Sequence, residues 1–188
     1  VNGRELYDVA ADPGQKTDRA AERADVVQTL REHYQQWMAT TKPLLYAVNS
    51  IVVGAPVEPV TRLTAADWLG SGPYAGEWGA LAQTELPLFG YWNIEAAAAG
   101  DYEILLYLYP PDAETALDQP LRNVPARPIA RARLLVDGKE YTVATTSGAT
   151  HARFQLPFQA GERHRLEGKF LDRAGKPLCG AFFTVVKR

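Results

Sequence analysis

The most regular pattern of hydrophobic residues lies in the middle of the chain. Along Asp101–Tyr109 the apolar side chains alternate so densely that one face of an extended strand is wholly apolar and the other nearly so. A strand with two apolar faces is typical of the centre of a sheet that is covered on both sides. We therefore predict two antiparallel strands, about Phe89–Ala96 and Asp101–Tyr109, joined at a turn near Ala99-Gly100-Asp101.

Shorter alternating stretches continue this pattern to the end of the chain. Asp137-Gly138 is the strongest short hairpin signal, and it predicts that Ile129–Val136 pairs with Glu140–Thr145. Leu178–Val186 is predicted as one closing strand. About nine strands after residue 50, at this spacing, predict a two-layer antiparallel β-sandwich of the jelly-roll kind.

The N-terminal residues follow a different pattern. Arg4–Val9 is predicted as a short strand, and Arg23–Ala39 as an amphipathic helix with one apolar stripe. Lys42-Pro43 should end the helix, because a residue before proline avoids helical conformation. The expected architecture is mainly β: a strand and a helix in residues 1–43, then the sandwich in residues 44–188.

Composition and charge narrow the class of protein. The 188 residues are 46% hydrophobic and 22% charged, as in a globular protein with an ample core. The net charge of −2 comes without a basic stripe, so we expect no nucleic acid partner. No apolar run approaches the ~20 residues of a membrane helix, so we expect no membrane partner. The single Cys179 excludes an internal disulfide, and the start at Val1 without methionine or a signal pattern suggests a processed product or a fragment.

Several short motifs resemble a known family. The N-terminal residues resemble the C-terminal segment of type I sulfatases of the arylsulfatase kind, and later residues resemble an accessory module that follows it in some bacterial sulfatases. Asp18 and Arg19 depart from that pattern, where Asn and Leu are usual. The motifs of the first match are Glu5-Leu6-Tyr7-Asp8, Asp12-Pro13-Gly14, Thr17-Asp18-Arg19-Ala20 and the Val26, Leu30, Trp37 helix; those of the second are Asp67-Trp68, Trp92 with Gly100-Asp101-Tyr102, and Gly180-Ala181-Phe182-Phe183.

The resemblance implies a role as part of a larger enzyme. The parent would hydrolyse sulfate esters with a formylglycine nucleophile and calcium, both in an N-terminal catalytic domain that this chain lacks. Cys179 does not stand in the C/S-x-P/A-x-R motif that makes the nucleophile, so the resemblance implies an inactive chain without its own cofactor. The expected function is the non-catalytic C-terminal part of a periplasmic or secreted sulfatase, completing the fold and shaping the substrate cleft.

Residue chemistry alone gives no catalytic or metal site. His151 and His164 could converge on adjacent strands, but two solvated histidines are the favoured interpretation. The alternative function is a carbohydrate-binding module that targets the enzyme to a sulfated glycan, because sugars stack on exposed aromatic rings. Its candidate contacts are Trp68, Tyr74 and Trp78, with Tyr107 or Tyr109 in addition, although packing in the core or between domains is favoured for these rings; Trp92 and Tyr102 are expected in the core.

Overall fold

The chain is described by a computed structural model that covers residues 4–45, 49–70 and 88–188. It divides into two compact units, Val1–Val48 and Asn49–Arg188. The division falls a few residues after the boundary expected near Pro43, because the helix continues through that proline. Among the described residues, no helix combines the length and the apolarity needed to cross a membrane.

Turns replace the strand that was predicted at Arg4–Val9. The backbone amides of Leu6 and Ala20 both donate to Asp18 Oδ1 at 2.9 Å, and these bonds lower the pKa of the Asp18 carboxyl. Because the Leu6 amide is bonded to a side chain, it is not available to a neighbouring strand. The prediction of a strand here was wrong.

The helix α1 spans Ala24–Leu45, six residues longer than its predicted end at Ala39. Pro43 lies inside its last turn, so the bias of the residue before proline away from helical conformation is overridden. Asp25 lies in the first turn and Lys42 in the last, as the helix dipole favours. No residue of α1 is buried.

The second unit is a β-sandwich, as predicted. Its described strands are β1 Ile51–Val53, β2 Val60–Thr64, β3 Trp92–Ala96, β4 Gly100–Tyr107, β5 Arg131–Val136, β6 Lys139–Ala144, β7 Ala152–Phe158, β8 Arg163–Leu171, β9 Pro177–Gly180 and β10 Phe183–Lys187. They form a large sheet in the order β1–β3–β8–β5–β6, with β9 also beside β8, and a small sheet in the order β2–β10–β4–β7. All neighbours are antiparallel except β1 and β3.

Alternate residues of both sheets fill the space between them. Trp92 and Tyr102 are fully buried there, which confirms their predicted place in the core. The Trp92 indole donates to the Thr64 carbonyl at 2.8 Å, so its polar atom is satisfied. The other large inward side chains are Ile94, Ile104, Leu106, Leu134, Phe154, Leu156, Phe158, Leu166 and Phe170.

The prediction of a central hairpin is wrong, and this is the largest difference between the predicted and the observed fold. The strands β3 and β4 follow each other in sequence but lie in different sheets. The chain crosses the sandwich through residues 97–99, where the Tyr102 hydroxyl donates to the Ala98 carbonyl at 2.7 Å. Both strands direct alternate apolar residues into one core. Alternation therefore indicated the strands correctly, but it does not distinguish side-by-side strands from facing ones.

Of two further strand predictions in the second unit, the hairpin at Asp137-Gly138 is confirmed and the single closing strand Leu178–Val186 is wrong. The Asp137-Gly138 hairpin is confirmed: it joins β5 to β6, and φ angles of 52° and 84° fit the type I′ turn. The closing strand is wrong as a single element, because Ala181 and Phe182 separate β9 in the large sheet from β10 in the small one. The amide of Ala181 donates to Gly168, and the carbonyl of Phe182 accepts from Ala65.

Candidate functional site

Trp68, the first predicted sugar contact, lies against the core. Its ring centroid is 5.1 Å from that of Phe182 and 5.8 Å from that of Trp92. Gly90 and Gly180 make room for the indole, since a Cβ atom at either glycine would lie 2.4 or 2.7 Å from a ring carbon. This close packing makes the side chain an anchor for the loop after β2.

The other predicted aromatic contacts lie in three different environments. Tyr74 and Trp78 lie outside the described residues. Tyr109 is buried and its hydroxyl donates to the Gln119 carbonyl at 2.7 Å. Tyr107 is half-buried on the outer face of the small sheet, so it is the one ring of the set that the described structure places on a sheet surface.

The two strand histidines do not come together, because they belong to different sheets. His151 directly precedes β7 in the small sheet, whereas His164 lies in β8 of the large sheet. The His164 side chain is 14% exposed, its Nδ1 atom lies 2.7 Å from Asp137 Oδ2, and its ring stacks on Phe158 at 4.3 Å. The expectation of a solvated histidine is therefore wrong for His164, which closes one end of the sandwich.

Three rings form a row across the outer face of the small sheet. Phe183 of β10 stands directly opposite Tyr107 of β4, which places their Cβ atoms ~5 Å apart. The ring of His151 follows, with its centroid 5.0 Å from that of Tyr107 at an angle of 37°. All three side chains are half-buried. We call Phe183, Tyr107 and His151 the ring row.

Apolar residues and paired charges lie next to the ring row. Leu105 and Val185 are nearly fully buried on the same outer face. Beyond them Glu103 lies between two cations, with Oε1 2.6 Å from Arg153 Nε and Oε2 3.0 Å from Lys187 Nζ. The face therefore combines flat rings with groups that donate and accept hydrogen bonds.

The ring row is uncharged at neutral pH. Burial raises the pKa of the Tyr107 hydroxyl and lowers the pKa of the His151 imidazole, so both neutral forms are favoured. The hydrogen bond from the Lys187 ammonium lowers the pKa of the Glu103 carboxyl, which keeps that group ionised. An apolar strip thus lies beside a fixed hydrogen-bonding strip.

The outer face of the large sheet has rings of a different kind. The Arg165 guanidinium lies 3.8 Å from the centroid of the Tyr91 ring, and the Lys169 ammonium lies 5.4 Å from that of Phe89. Cations within about 6 Å of a ring centroid are attracted to its face. These rings are therefore occupied by side chains of the same sheet.

The described residues offer little for catalysis. Among residues 4–45, 49–70 and 88–188, no group of three His, Cys, Asp or Glu side chains could hold a metal ion. Cys179 is buried, and burial raises the pKa of its thiol to about 11. The buried, protonated sulfur fits the predicted role of a small hydrophobe.

Comparison with known proteins finds likeness in fold alone. No family model matches the chain, and no curated protein matches it. One similar structure is the family 35 carbohydrate-binding module from Cellvibrio japonicus Abf62, 17% identical, with a TM-score of 0.39 over 69% of this chain and 93% of that one. Another is a family 35 module from Clostridium thermocellum, 16% identical, with a TM-score of 0.34 over 68% and 87%.

A third similar structure is an enzyme, the α-L-fucosidase from Vibrio sp. strain EJY3. It is 14% identical, with a TM-score of 0.42 over 74% of this chain and 24% of that one. These structures are carbohydrate-binding modules and glycoside hydrolases, and no sulfatase is among them.

The resemblance to sulfatases was therefore wrong, and the sulfatase partner domain is not supported. The motifs that suggested it have structural roles of their own: Asp18 closes a turn and Trp68 anchors a loop. The calcium and formylglycine that it implied concern residues outside this chain, and nothing in the structure tests them.

Sequence reasoning placed Glu103 on the same strand face as Tyr107, but it did not identify Phe183 or His151 as members of that surface. These two residues lie on or beside other strands and meet Tyr107 only through the order of strands in the small sheet. Their local sequence carried no signal, because register between distant strands is not written in either strand alone.

Proposed function

We propose that Asn49–Arg188 is a carbohydrate-binding module whose ligand stacks on the ring row. The observation that carries the proposal is the row itself: three uncharged, half-buried rings across the outer face of the small sheet. A sugar ring has an apolar C–H face and a rim of hydroxyl groups. The C–H face of the sugar can stack on an aromatic ring, and its hydroxyl rim can form hydrogen bonds with nearby charged and amide side chains.

The surroundings of Tyr107 supply both kinds of contact. Rings offer the apolar surface, while Arg153 lies one row further along the same face and Glu103 and Lys187 lie two rows further. The ion pairs hold these polar groups in place before a ligand arrives, which lowers the entropy cost of binding.

This function is the alternative raised by the sequence, and the similar structures described above include modules of that name. A polysaccharide ligand further implies that the protein is secreted, because such ligands are met outside the cell. The contacts predicted at Tyr74 and Trp78 remain part of the proposal only as additions to the ring row, because they lie outside the described residues.

The test is retention by polysaccharides in affinity gels. We expect the wild-type chain to be slowed by at least one member of a panel of xylan, mannan, galactan, agarose, hydroxyethylcellulose, carboxymethylcellulose and carrageenan. Tyr107→Ala should weaken binding about tenfold, equal to about 1.4 kcal/mol. Tyr107→Phe keeps the ring and should stay within about twofold of wild type.

Tyr91→Ala on the large sheet is the matched control, because it removes a tyrosine that Arg165 already covers. It should leave retention unchanged. The proposal fails if no polysaccharide of the panel slows the wild-type chain, or if Tyr91→Ala weakens binding as much as Tyr107→Ala does. Circular dichroism of each variant separates loss of binding from loss of fold.

A further inference from the structure

The cations around the ring row each have a carboxylate partner. Arg62 binds Asp112 through two bonds, Nη1–Oδ2 at 2.9 Å and Nη2–Oδ1 at 3.3 Å. Arg153 and Lys187 both bind Glu103. No cation of these pairs is left to attract an acidic ligand without giving up a partner. Hydroxyl groups, in contrast, can accept from the same N–H groups and donate to the same carboxylates.

A carboxylate also lies where an acidic ligand would meet it. The Glu103 side chain is 22% exposed in the middle strand β4, and Asp101 lies exposed further along the same face. A uronate or sulfate group laid on the ring row would lie on the same face as these carboxylates. A like charge on the face that a ligand approaches opposes its binding.

The large sheet shows the opposite balance. Its outer face carries more cations than carboxylates, so an acidic polymer would be attracted to that side of the sandwich. The outward cations are Arg131, Arg133, Arg163, Arg165 and Lys169, and the outward carboxylates that pair with them are Glu95, Glu140 and Glu167. The two faces therefore differ in the ligand charge that each would favour.

The direction of the ring row adds a second constraint. The ring row extends from Phe183 on β10 through Tyr107 on β4 to His151 beside β7, and Thr64 on β2 lies opposite Phe183 at one end. Two spacings between neighbouring strands make the ring row ~10 Å long, longer than one pyranose ring. The strands β2 and β7 are the two edges of this sheet in the described residues, so the ring row and Thr64 together run from edge to edge.

We infer that the ring row binds an internal stretch of an uncharged polysaccharide, with the glycan chain lying across the strands of the small sheet. The inference rests on the proposed function and adds the charge of the glycan and the mode of binding. Successive sugar units stack along the row, and the chain leaves over both edges. Neither end of the glycan needs a specific contact.

The experiment is titration calorimetry of the full chain with matched probes. Hydroxyethylcellulose is paired with carboxymethylcellulose, because both share the cellulose backbone and differ in charge, and neutral agarose is compared with carrageenan, a related sulfated galactan. Xylo-, manno-, cello- and agaro-oligosaccharides of one to six units supply the length series. The neutral polymer that binds should exceed its acidic counterpart about tenfold in affinity.

Affinity should rise about tenfold from one to three units and then level off. Reduction of the reducing end should change affinity by less than about twofold, since the site does not grip that end. Glu103→Gln removes the shared carboxylate and should raise the affinity for carboxymethylcellulose or carrageenan severalfold. Glu167→Gln, the matched change on the large sheet, should leave the Tyr107-dependent binding unaltered.

Four results would overturn the inference. A monosaccharide that binds as well as the trisaccharide, or an end reduction that abolishes binding, would show recognition of chain ends. An acidic polymer that binds best through Tyr107 would show the wrong charge class and would leave the proposed function standing. Binding that survives Tyr107→Ala but is lost in Arg165→Ala would overturn both proposals, because the glycan would then lie on the large sheet.

Discussion

The two outer faces of the sandwich use nearly the same side chains to different effect. Each has a glutamate between two cations, Glu103 on the small sheet and Glu167 on the large one. On the large sheet the cation Arg165 also lies over a tyrosine ring, whereas on the small sheet Tyr107 lies beside another ring.

The difference comes from register. On the small sheet the three rings share one cross-strand row that holds no carboxylate, lysine or arginine. The charges lie in the next two rows, with Arg62 and Arg153 in the nearer one and Glu103 opposite Lys187 in the farther one. On the large sheet Arg165 is close enough to Tyr91 to cover it. Composition of a face does not decide whether its rings can meet a ligand; the pairing of strands does.

The largest effect on stability should come from a change at Trp68, which packs against the core beneath the two outer faces. Trp68→Ala removes the indole that packs on Phe182 and Trp92 against the core. The cavity should lower the free energy of unfolding by about 3 kcal/mol. Chemical denaturation monitored by circular dichroism measures this loss. Glycan retention should persist below the unfolding transition, because Trp68 is not a member of the ring row.

Tyr107→Ala is the counterpart on the surface, with an expected cost of about 1 kcal/mol for a half-buried ring. If Tyr107→Ala unfolded the chain as severely as Trp68→Ala, the ring would be part of the core. The distinction between a structural ring and a binding ring would then disappear.

Sequence patterns predicted the β-sandwich because alternation is a local property. The Asp137-Gly138 turn and the strands around it were predicted for the same reason, since a two-residue loop with positive φ angles allows few alternatives. The pairing of β3 and β4 was not predictable in this way. Three residues between strands can form a hairpin or cross to the other sheet, and only the rest of the sandwich decides.

The site was predictable only in part. Tyr107 was named as an additional candidate ring on the second central strand, and Trp68 was named because it lies beside the glycine-rich loop, although packing was favoured for both. The glycines that accommodate Trp68 lie 22 and 112 residues away in sequence. No local pattern could have indicated that Gly90 and Gly180 would enclose one indole.

A smaller effect should appear in the acid stability of the small sheet. The pKa of the Glu103 carboxyl is lowered, first of all by the hydrogen bond from Lys187. The folded chain therefore binds a proton here less readily than the unfolded one. The stability from this group is complete above the ordinary glutamate pKa of about 4.3 and is lost as pH falls through the lower folded value.

Wild type should lose more melting temperature than Glu103→Gln on acidification from about pH 6 to pH 3, because the variant has no carboxyl to protonate. Differential scanning fluorimetry across this range measures both curves. Parallel curves for the two proteins would show that the charge pairs beside the ring row contribute nothing to stability.

The most direct test of the ring row as the binding site is a map of amide chemical shifts. The map is recorded while the chain is titrated with a fragment of a neutral polysaccharide that binds it in affinity gels. Binding on the ring row should shift the amides of residues 103–107 and 183–187 most, and those of residues 131–136 and 163–169 least. The largest shifts on the second set would place the ligand on the large sheet and contradict the assignment of the ring row as the binding site.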